Sequence, residues 1–358
     1  MSTPVFLLRF QHSDPIDQTK NRLKKLFKTA GFDKIIEKND VTAVKVHFGE
    51  PGNTSYLPHH YVEPIVRMIK SCNAKPFVTD TNVLYKSRRD NAIDHIEVAA
   101  EHGFTSEKLG APIIIADGIL GRNESEIEIN APLNKSISLA TELVSAHSAI
   151  VISHATGHLT TGLGATIKNL GMGMSSRKGK LTQHSVSKPI ISESKCTACG
   201  VCVNWCPVDA ITVGDDFAFI NEGICIGCGE CLAVCRFNAV KFKWDSSSEL
   251  LQKQIAEHAL GIVKQKNGKM GFLTFMINMT KDCDCLAQKP ISLIDDIGVL
   301  AGTDPVAIDQ AVYDLTKKQT GKSLSQIAFP ALNAQIQLEY GEQIGLGSRE
   351  YRLVETEF

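Results

Sequence analysis

Two short runs, CTACGVCVNWCP at residues 196–207 and CIGCGECLAVCR at residues 225–236, dominate this sequence of 358 residues. Each run spaces its four cysteines as Cys-x-x-Cys-x-x-Cys-x-x-x-Cys, and the second run follows the first after about thirty residues. Eight of the eleven cysteines of the chain belong to these runs. Glycines and alanines between the cysteines permit the tight turns that such spacing needs. The runs therefore predict a compact cysteine-rich module within a longer chain.

The cysteine spacing indicates what this module binds. Three thiolates separated by two residues each can surround one face of a 4Fe–4S cube, and the fourth cysteine of such a run ligates the other cluster in two-cluster ferredoxins. We therefore expect two 4Fe–4S clusters with crossed ligands. The ligands expected for the first cluster are Cys196, Cys199, Cys202 and Cys235. The ligands expected for the second cluster are Cys225, Cys228, Cys231 and Cys206.

The residue that follows the last cysteine agrees with this assignment in the first run but not in the second. Pro207 follows Cys206, as in bacterial ferredoxins, whereas Arg236 stands in the corresponding place after Cys235. Zinc knuckles and a disulfide framework are the alternatives. Zinc sites use pairs of Cys-x-x-Cys separated by a longer loop, and disulfides are rare in intracellular proteins. Over about sixty residues, the segment resembles a bacterial-type two-cluster ferredoxin domain.

The composition of the whole chain excludes several classes of protein. Its length predicts about two or three domains. The net charge of −1 at pH 7 predicts attraction to neither nucleic acid nor membranes. No apolar run approaches twenty residues, and the first residues lack the basic start of a signal peptide. We therefore expect a cytoplasmic protein.

Outside the cysteine runs, predicted strands and helices alternate. Predicted strands cover residues 5–10, 41–48, 76–80, 112–116, 149–153, 271–279 and 297–301. Predicted helices cover residues 16–30, 61–71, 92–102, 136–146, 249–264 and 303–315. The strands are largely continuous apolar runs, which is typical of parallel sheets buried on both faces. The sequence therefore predicts an α/β fold with a mostly parallel sheet and helices on both faces.

Polar residues follow several of these strands directly. His47, Asp80, Asp117 and His154 all lie at or just after predicted strand ends. Ligands bind at that edge of open α/β sheets, so we expect a site there. Lys45 alternates with His47 on one strand and therefore shares its face, although an ordinary strand end near water is the alternative. A dinucleotide-binding fingerprint does not follow the first strand.

A glycine-rich basic segment at residues 154–184 comes next. Its cations are Lys168, Arg177, Lys178 and Lys180. Backbone amides in glycine-rich turns, together with such cations, can bind an anion. The segment lacks the Gly-x-x-x-x-Gly-Lys-Ser/Thr pattern of a phosphate-binding loop. A surface loop that docks the cysteine module is the alternative.

The sequence Asp282-Cys283-Asp284-Cys285 ends a predicted buried strand. Two thiols one residue apart point to opposite faces of an extended strand, so binding one metal ion requires a turn. The pair can bind a metal ion with a histidine, form a redox disulfide or supply a nucleophile. Burial as small side chains is the alternative. His154 and His158 are four residues apart, so on a helix they would share a face and could bind a metal ion together, but the intervening Ala-Thr-Gly indicates a loop.

With these stretches in place, the chain resembles the domain-of-unknown-function 362 family, a family of uncharacterised iron–sulfur centre proteins. The matching stretches are KVHFGEPGNTSY, TDTNVLY, GAPIIIADG, SHATGH, TGLGATIKNLGMGMSSRKGK, DCDC and GVLAGTDPVAID. The resemblance supplies no settled reaction. It implies that the following residues belong to one site: Lys45, His47, His154, His158, Lys168, Asn169, Arg177, Lys180, Cys283 and Cys285.

The simplest architecture is a discontinuous α/β domain, residues 1–187 and 245–358, with a two-cluster ferredoxin-type module inserted at residues 188–244. The predicted function is electron transfer from the module to a site on the α/β domain, with a redox reaction on an anionic small molecule. The sequence leaves open whether the protein is an enzyme. A non-catalytic electron carrier that docks a partner oxidoreductase is one alternative. A metal or cofactor assembly protein that uses Cys283 and Cys285 is another.

Overall fold

The computed structural model describes residues 2–85, 87–184, 188–225, 230–237, 239–241, 248–287 and 291–358. The strands are β1 (Thr3–Leu8), β2 (Val41–Lys45), β3 (Lys75–Asp80), β4 (Ile113–Ile115), β5 (Glu124–Glu128), β6 (Ser136–Ala140), β7 (Ser148–His154), β8 (Thr156–His158), β9 (Gly162–Gly164), β10 (Ile190–Ile191), β11 (Ile211–Val213), β12 (Ala218–Ile220), β13 (Val240–Lys241), β14 (Met270–Met276), β15 (Met279–Thr280), β16 (Ser292–Ile294), β17 (Gly298–Gly302) and β18 (Tyr351–Glu355). The helices are α1 (Ile16–Thr29), α2 (Phe32–Ile35), α3 (His59–Ser71), α4 (Ala92–Glu101), α5 (Ser106–Leu109), α6 (Thr141–Ser145), α7 (Thr166–Gly171), α8 (Arg177–His184), α9 (Val201–Asn204), α10 (Glu230–Val234), α11 (Ser248–Lys266), α12 (Pro305–Thr320), α13 (Leu324–Ala328) and α14 (Gln335–Gln343).

One eight-stranded sheet forms the centre of the molecule, in the order β18-β1-β17-β14-β7-β2-β3-β4. The run from β14 to β4 is parallel throughout. Strand β17 is antiparallel to both of its neighbours, while β1 and β18 pair in parallel. The sheet is therefore mixed but mostly parallel, as the apolar strands predicted. Strands from both sides of the cysteine-rich segment share it, although the domain boundaries themselves stay a prediction.

Helices cover both faces of the sheet. On one face, Ala43, Val151 and Phe272 pack with α7, α11 and α12. On the other face, Val44 and Ile150 pack with α1 and α3. Neighbouring residues of one strand point to opposite faces of the sheet. Because helices cover both faces, the side chains on either face are buried, and the strands are apolar along their whole length. The α/β fold with helices on both faces is thus confirmed.

One predicted element is wrong. The helix expected over residues 136–146 is a strand, β6, followed by the short helix α6. Strand β6 pairs antiparallel with β5, so that Leu139 lies opposite Ser125. The alternation in Ser136–Ala140 places Ile137 and Leu139 in the core, and pairing with β5 overrides the helical period seen in the sequence.

The glycine-rich segment is largely buried rather than a surface loop. It forms the hairpin of β8 and β9 and the helices α7 and α8. Gly171 faces the backbone carbonyl of Ile255 so closely that a Cβ atom would collide with it. The absence of a side chain at this position therefore lets α7 pack directly on α11, and the segment belongs to the core.

The cysteine-rich segment forms a small unit of short elements. Strand β10 pairs with β13, and β11 pairs with β12, both antiparallel. The helices α9 and α10 contact each other. Its core consists of Ile211, Ala218, Cys231 and Val240, with most of the remaining described cysteines packed around it. Cys228 lies outside the described residues.

The helices of the described residues do not include a candidate for a membrane span, because none is both long enough and apolar enough.

Candidate functional site

A cavity of about 640 Å³ opens at the edge of the sheet where the parallel strands β2, β3 and β7 end. Segments that are far apart in sequence line it. Of the residues predicted to form a site, those in its wall are Lys45, His47, His154, His158, Lys168, Asn169, Lys180, Cys283 and Cys285. This volume is typical of small-molecule sites.

Lys45 lies at the end of β2 and is fully buried. Its Nζ is 3.0 Å from Asp80 Oδ1 and donates a hydrogen bond to Asn169 Oδ1 at 2.8 Å. Asn169 in turn donates to the carbonyl of Ile152 and to Ser153 Oγ, both at 3.0 Å. Burial alone would raise the pKa of Asp80, but Lys45 and the neighbouring cations hold it well below its usual range. Lys45 is therefore a buried, ion-paired ammonium.

Arg89 is a buried residue of the cavity wall that the sequence did not single out. Its Nε donates to Glu50 Oε2 at 2.9 Å and its Nη2 to the hydroxyl of Tyr85 at 2.5 Å. Its Nη1 lies 3.0 Å from His47 Nε2. Burial, followed by the charge of Arg89, lowers the pKa of His47 well below its ordinary value, so this imidazole is neutral.

His154 is a doubly donating, protonated histidine. Its Nδ1 is 2.9 Å from Asp284 Oδ2, and its Nε2 is 2.7 Å from the carbonyl oxygen of Ile277. Both partners can only accept, so both ring nitrogens carry hydrogen. Burial lowers the pKa of His154, but Asp284 outweighs burial and the net shift is upward. His154 therefore holds Asp284, and through it the cysteine pair, in place.

The cysteine pair lies on a tight turn. The amide of Leu286 donates to the carbonyl of Cys283 at 3.1 Å, and Cys283 and Cys285 are joined as a disulfide. Ser55 Oγ donates to Asp284 Oδ1 at 3.1 Å, which fixes the residue between the two cysteines from the other side. The turn brings both sulfurs to the same side of the chain, which an extended strand cannot do.

His158 faces this turn from the end of β8. One of its ring nitrogens and the sulfurs of Cys283 and Cys285 all lie within 4.8 Å of one another. The backbone amide of Thr161 donates to His158 Nδ1 at 3.1 Å. Burial, followed by the charge of Lys168, lowers the pKa of His158 well below its ordinary value. The ring is therefore neutral and able to act as a ligand.

Lys168 and Lys180 are cations that no described carboxylate neutralises by an ion pair. Lys180 Nζ donates to Thr81 Oγ1 at 2.7 Å and to the carbonyl of Ser175 at 2.6 Å, which are both uncharged. Lys168 Nζ lies 4.0 Å from the sulfur of Cys285. Burial lowers the pKa of each lysine to about 8. Asp117 and Asp80 act on Lys180 and Asp284 acts on Lys168 in the opposite direction, but burial outweighs these charges. The cavity wall therefore carries two ammonium groups with no described carboxylate within ion-pair distance.

Arg177 is the predicted site residue that does not line the cavity. Its Nη1 donates to the carbonyl of Asp90 at 3.2 Å, and its side chain packs against Gly121. Asp117, a weaker candidate, accepts from the backbone amide of Asn82 at 3.0 Å behind the cavity wall. Burial raises the pKa of Asp117 to about 6. A role of Arg177 in cofactor binding stays a prediction without positional support.

A second, small cavity lies among the cysteine runs. The cysteines in its wall are Cys196, Cys199, Cys202 and Cys235. Backbone amides donate to sulfur nearby, from Ala218 to Cys196 at 3.4 Å and from Ala239 to Cys235 at 3.3 Å. The amide of Ala210 donates to Cys206 Sγ at 3.1 Å. Three cysteines of the first run and the last cysteine of the second run therefore surround one space.

Sequence reasoning did not identify Glu50 and Arg89 as site residues. Arg89 belongs to the charged stretch Ser-Arg-Arg-Asp, which is typical of a solvated turn. Glu50 precedes a Pro-Gly pair that also predicts a turn. The available signal was that several charged residues follow strand ends at the same edge of the sheet.

The chain belongs to the family described as Domain of unknown function (DUF362), whose model matches residues 42–314. No curated protein matches the chain. Among solved structures, the lactate racemase apoprotein from Thermoanaerobacterium thermosaccharolyticum is similar, with 10% identity and a TM-score of 0.47 over 88% of this chain and 57% of that one. A Thermotoga maritima protein has 11% identity and a TM-score of 0.40 over 79% of this chain and 55% of that one. This chain thus spans little more than half the length of either structure.

Proposed function

We propose that this protein is an iron–sulfur oxidoreductase, in which residues 188–244 hold two 4Fe–4S clusters and exchange electrons with a site in the large cavity of the α/β domain. The observation that carries the proposal is the small cavity lined by Cys196, Cys199, Cys202 and Cys235. This is the crossed ligand set that the sequence predicts for the first cluster. When bound, the clusters supply one-electron transfer.

The surroundings of the cysteines fit such clusters. Backbone amides donate hydrogen bonds to Cys196, Cys206 and Cys235 Sγ, and amide-to-sulfur bonds tune the potentials of iron–sulfur centres. Cys206 and Cys231, two of the four ligands predicted for the second cluster, belong to the same small core. Four thiolates around one cavity also match the donor set that such clusters require.

Helix α8 supports a connection between the two cavities. It supplies Lys180 and His184 to the wall of the large cavity and contacts α10, which carries Cys231. A second contact with the module is that the guanidinium of Arg122 lies 4.7 Å from the ring centroid of Trp205, the residue before Cys206. The second cluster is thus proposed as the one nearer to the large cavity.

The charge of the large cavity supports an anionic ligand. Lys45 and Arg89 form ion pairs with Asp80 and Glu50, whereas the described residues that Lys168 and Lys180 contact through hydrogen bonds are uncharged groups or sulfur, and the carboxylates nearby lie beyond ion-pair distance. Burial of an ammonium without a counter-ion is unfavourable, and an anion in the cavity relieves it. A phosphate or carboxylate group is therefore the proposed recognition element of the substrate.

A non-catalytic electron carrier is the weaker candidate. Such a carrier requires a docking surface but no deep polar cavity, whereas here buried charged groups from β2, β3 and α7 converge on one space. A partner that donates or accepts electrons is a proposal that follows from cluster chemistry alone, and a cytoplasmic location stays a proposal from the sequence.

The test is anaerobic purification with iron and sulfide analysis, followed by mass spectrometry of small molecules released from the protein. We expect about eight iron and about eight sulfide per chain, together with an organic anion. Cys206→Ser is expected to lose the cluster of the second run, and Cys235→Ser that of the first. Iron content near zero in protein purified without oxygen would refute the proposal, and loss of the opposite cluster in each variant would refute the crossed ligands.

A further inference from the structure

Three ligands of soft or borderline character converge on one side of the large cavity. A ring nitrogen of His158 and the sulfurs of Cys283 and Cys285 lie within 4.8 Å of one another. His158 and Cys283 are buried, and Cys285 is half-buried beside the cavity. Two thiolates and one imidazole are a donor set that zinc and related divalent ions prefer.

The fold brings these ligands together by a close approach of two segments. Gly157 lies beside the carbonyl of Lys281 and the Cβ of Ala328, and a side chain at residue 157 would collide with both. The glycine therefore lets β8 pass directly under the chain that leads to the cysteine turn. As a result, His158 faces Cys283 and Cys285 although more than a hundred residues separate them in sequence.

We propose that the dithiol form of this protein binds a borderline divalent cation, with Zn²⁺ as the reference ion, through His158, Cys283 and Cys285, and leaves a fourth position open to the cavity. Catalytic zinc sites keep such an open position, whereas structural sites fill all four with protein ligands. The proposal goes beyond the cluster assignment, because none of these ligands belongs to the cysteine runs.

Metal binding and the disulfide exclude each other. A phosphine supplies two electrons and becomes its oxide, water supplies the oxygen and two protons, the sulfur–sulfur bond breaks and two thiols form; two molecules of a thiol reductant do the same and end as their own disulfide. Zn²⁺ then replaces the two thiol protons, which leave to solvent, and two metal–sulfur bonds form. Reoxidation by a small-molecule disulfide transfers two electrons from the two thiolates to that disulfide, which takes up two protons and leaves as two thiols, while the protein sulfur–sulfur bond re-forms and the ion is released. The site is therefore open to metal only in its reduced state.

Neighbouring residues suit this role. Thr161 Oγ1 lies 2.8 Å from His158 Nδ1 and 2.8 Å from the carbonyl of Leu163. In the structure Nδ1 accepts from the backbone amide of Thr161, so ligation of a metal ion by Nε2 moves the ring hydrogen to Nδ1. Thr161 Oγ1 can then accept from Nδ1–H while it donates its own hydrogen to the carbonyl of Leu163. Lys168, 4.0 Å from Cys285 Sγ, favours the thiolate by its positive charge.

The experiment uses the full-length, cluster-loaded protein without oxygen, reduced with a phosphine and then freed of excess reductant. Zinc is titrated against a fluorescent chelator, and the zinc K-edge X-ray absorption spectrum is recorded. We expect about one zinc per chain, with two sulfurs at about 2.3 Å and a nitrogen at about 2.0–2.1 Å. Thiol alkylation followed by mass spectrometry verifies that Cys283 and Cys285 are reduced.

Variants of the proposed zinc ligands, which lie on separate segments of the chain, test whether each ligand contributes to zinc binding. His158→Gln and Cys285→Ser are each expected to weaken zinc binding at least about 100-fold, and Thr161→Val about tenfold, because second-shell changes alone cost about 10–100-fold. Cys72→Ser is the matched control, since this third cysteine outside the runs does not line the cavity. The absorption of the clusters reports that each variant is folded.

Three results would overturn the inference. One is a reduced protein that does not retain zinc. The second is a spectrum with four sulfur ligands, which would place the zinc on the cysteine runs. The third is zinc affinity that survives both His158→Gln and Cys285→Ser. Absence of iron with intact zinc binding would instead refute the proposed clusters and leave this site standing.

Discussion

The cysteine-rich segment takes its reactive groups from residues that are close in sequence, whereas the large cavity takes them from residues that are far apart in sequence. The small cavity takes all of its cysteines from residues 196–235, whereas the large one draws its wall from residues 45–287. Among its described residues, the segment has a core of four buried members, while the α/β domain has an extensive core on each face of its sheet. A small core contributes little stability by burial alone, so we expect the proposed clusters to contribute to the stability of the segment. The cavity, in contrast, depends on packing between distant segments.

We expect removal of iron to produce the largest difference in stability between the cysteine-rich segment and the α/β domain. We expect an iron chelator with reductant to unfold residues 188–241 while the α/β domain keeps its sheet, because the proposed iron–sulfur clusters lie in the former and the sheet is stabilised by its own core. Hydrogen exchange with mass spectrometry is the measurement: amides of β11 and β12 should lose protection completely, and those of β7 and β14 should keep it. Equal loss in both regions would show that the distinction is wrong.

Loss of the buried ion pair between His154 and Asp284 is expected to have the next largest effect, a decrease in the free energy of unfolding. His154→Gln leaves the Asp284 carboxylate buried without a cation, and breaking such a pair costs about 3–5 kcal/mol of unfolding free energy. Urea unfolding followed by circular dichroism measures this cost. His258→Gln is the matched control, a buried histidine that bonds only a backbone carbonyl. A cost no larger than that of the control would contradict the ion pair.

Anion binding in the large cavity is expected to depend on pH. Since burial lowers the pKa of both Lys168 and Lys180 to about 8, each lysine loses its proton as the pH rises through that value. Sulfate, which does not titrate in this range, should bind with constant affinity below pH 8 and up to about tenfold more weakly per pH unit and per lysine above it. Isothermal titration calorimetry measures the profile.

Two lysine variants test the origin of that profile. Lys180→Met should halve the slope above pH 8, because only Lys168 then titrates. Lys266→Met is the control, since Lys266 is buried with a pKa of about 8 but donates to the carbonyl of Val144, away from the cavity. A slope that Lys266→Met changes as much as Lys180→Met would disprove the assignment to the cavity.

The contact between Arg122 of the α/β domain and Trp205 of the module is expected to contribute the least free energy of these interactions. Arg122→Ala removes the guanidinium that lies over Trp205, an interaction worth about 0.5–1 kcal/mol at a partly exposed site. Exchange of the amides in α9 should therefore accelerate about two- to fivefold, with Arg122→Lys in between. Unchanged exchange would mean that other contacts alone hold the module in place.

The sequence anticipated much of the fold but less of the site. Continuous apolar strands and helical periods predicted the mostly parallel sheet, and polar residues after β2, β3 and β7 predicted the edge at which the cavity opens. Strand β6 was missed because its pairing with β5 is a tertiary contact that overrides a local helical period. The buried Arg89 was missed because a charged residue in a turn is usually solvated.

The roles of individual site residues could be identified only from the tertiary structure. The two histidines that the sequence treated as equivalent differ in the structure: His154 is a protonated clamp on Asp284, whereas His158 is a neutral ring that faces Cys283 and Cys285. Nothing in the local sequence distinguishes them. The charge of His154 follows from its acceptors Asp284 and the carbonyl of Ile277, just after β14, whereas the neutral state of His158 follows from burial and the charge of Lys168.

By itself, the sequence determined the features that short-range geometry controls. The spacing of the cysteine runs dictates which thiols can meet around one metal centre, and hydrophobic periodicity dictates which segments become strands or helices. Only the tertiary structure decided which charges are buried and paired, that two lysines remain without a carboxylate partner among the described residues, and that His158 reaches the cysteine turn. These depend on burial and on contacts between distant segments, and no local pattern encodes the energy of either.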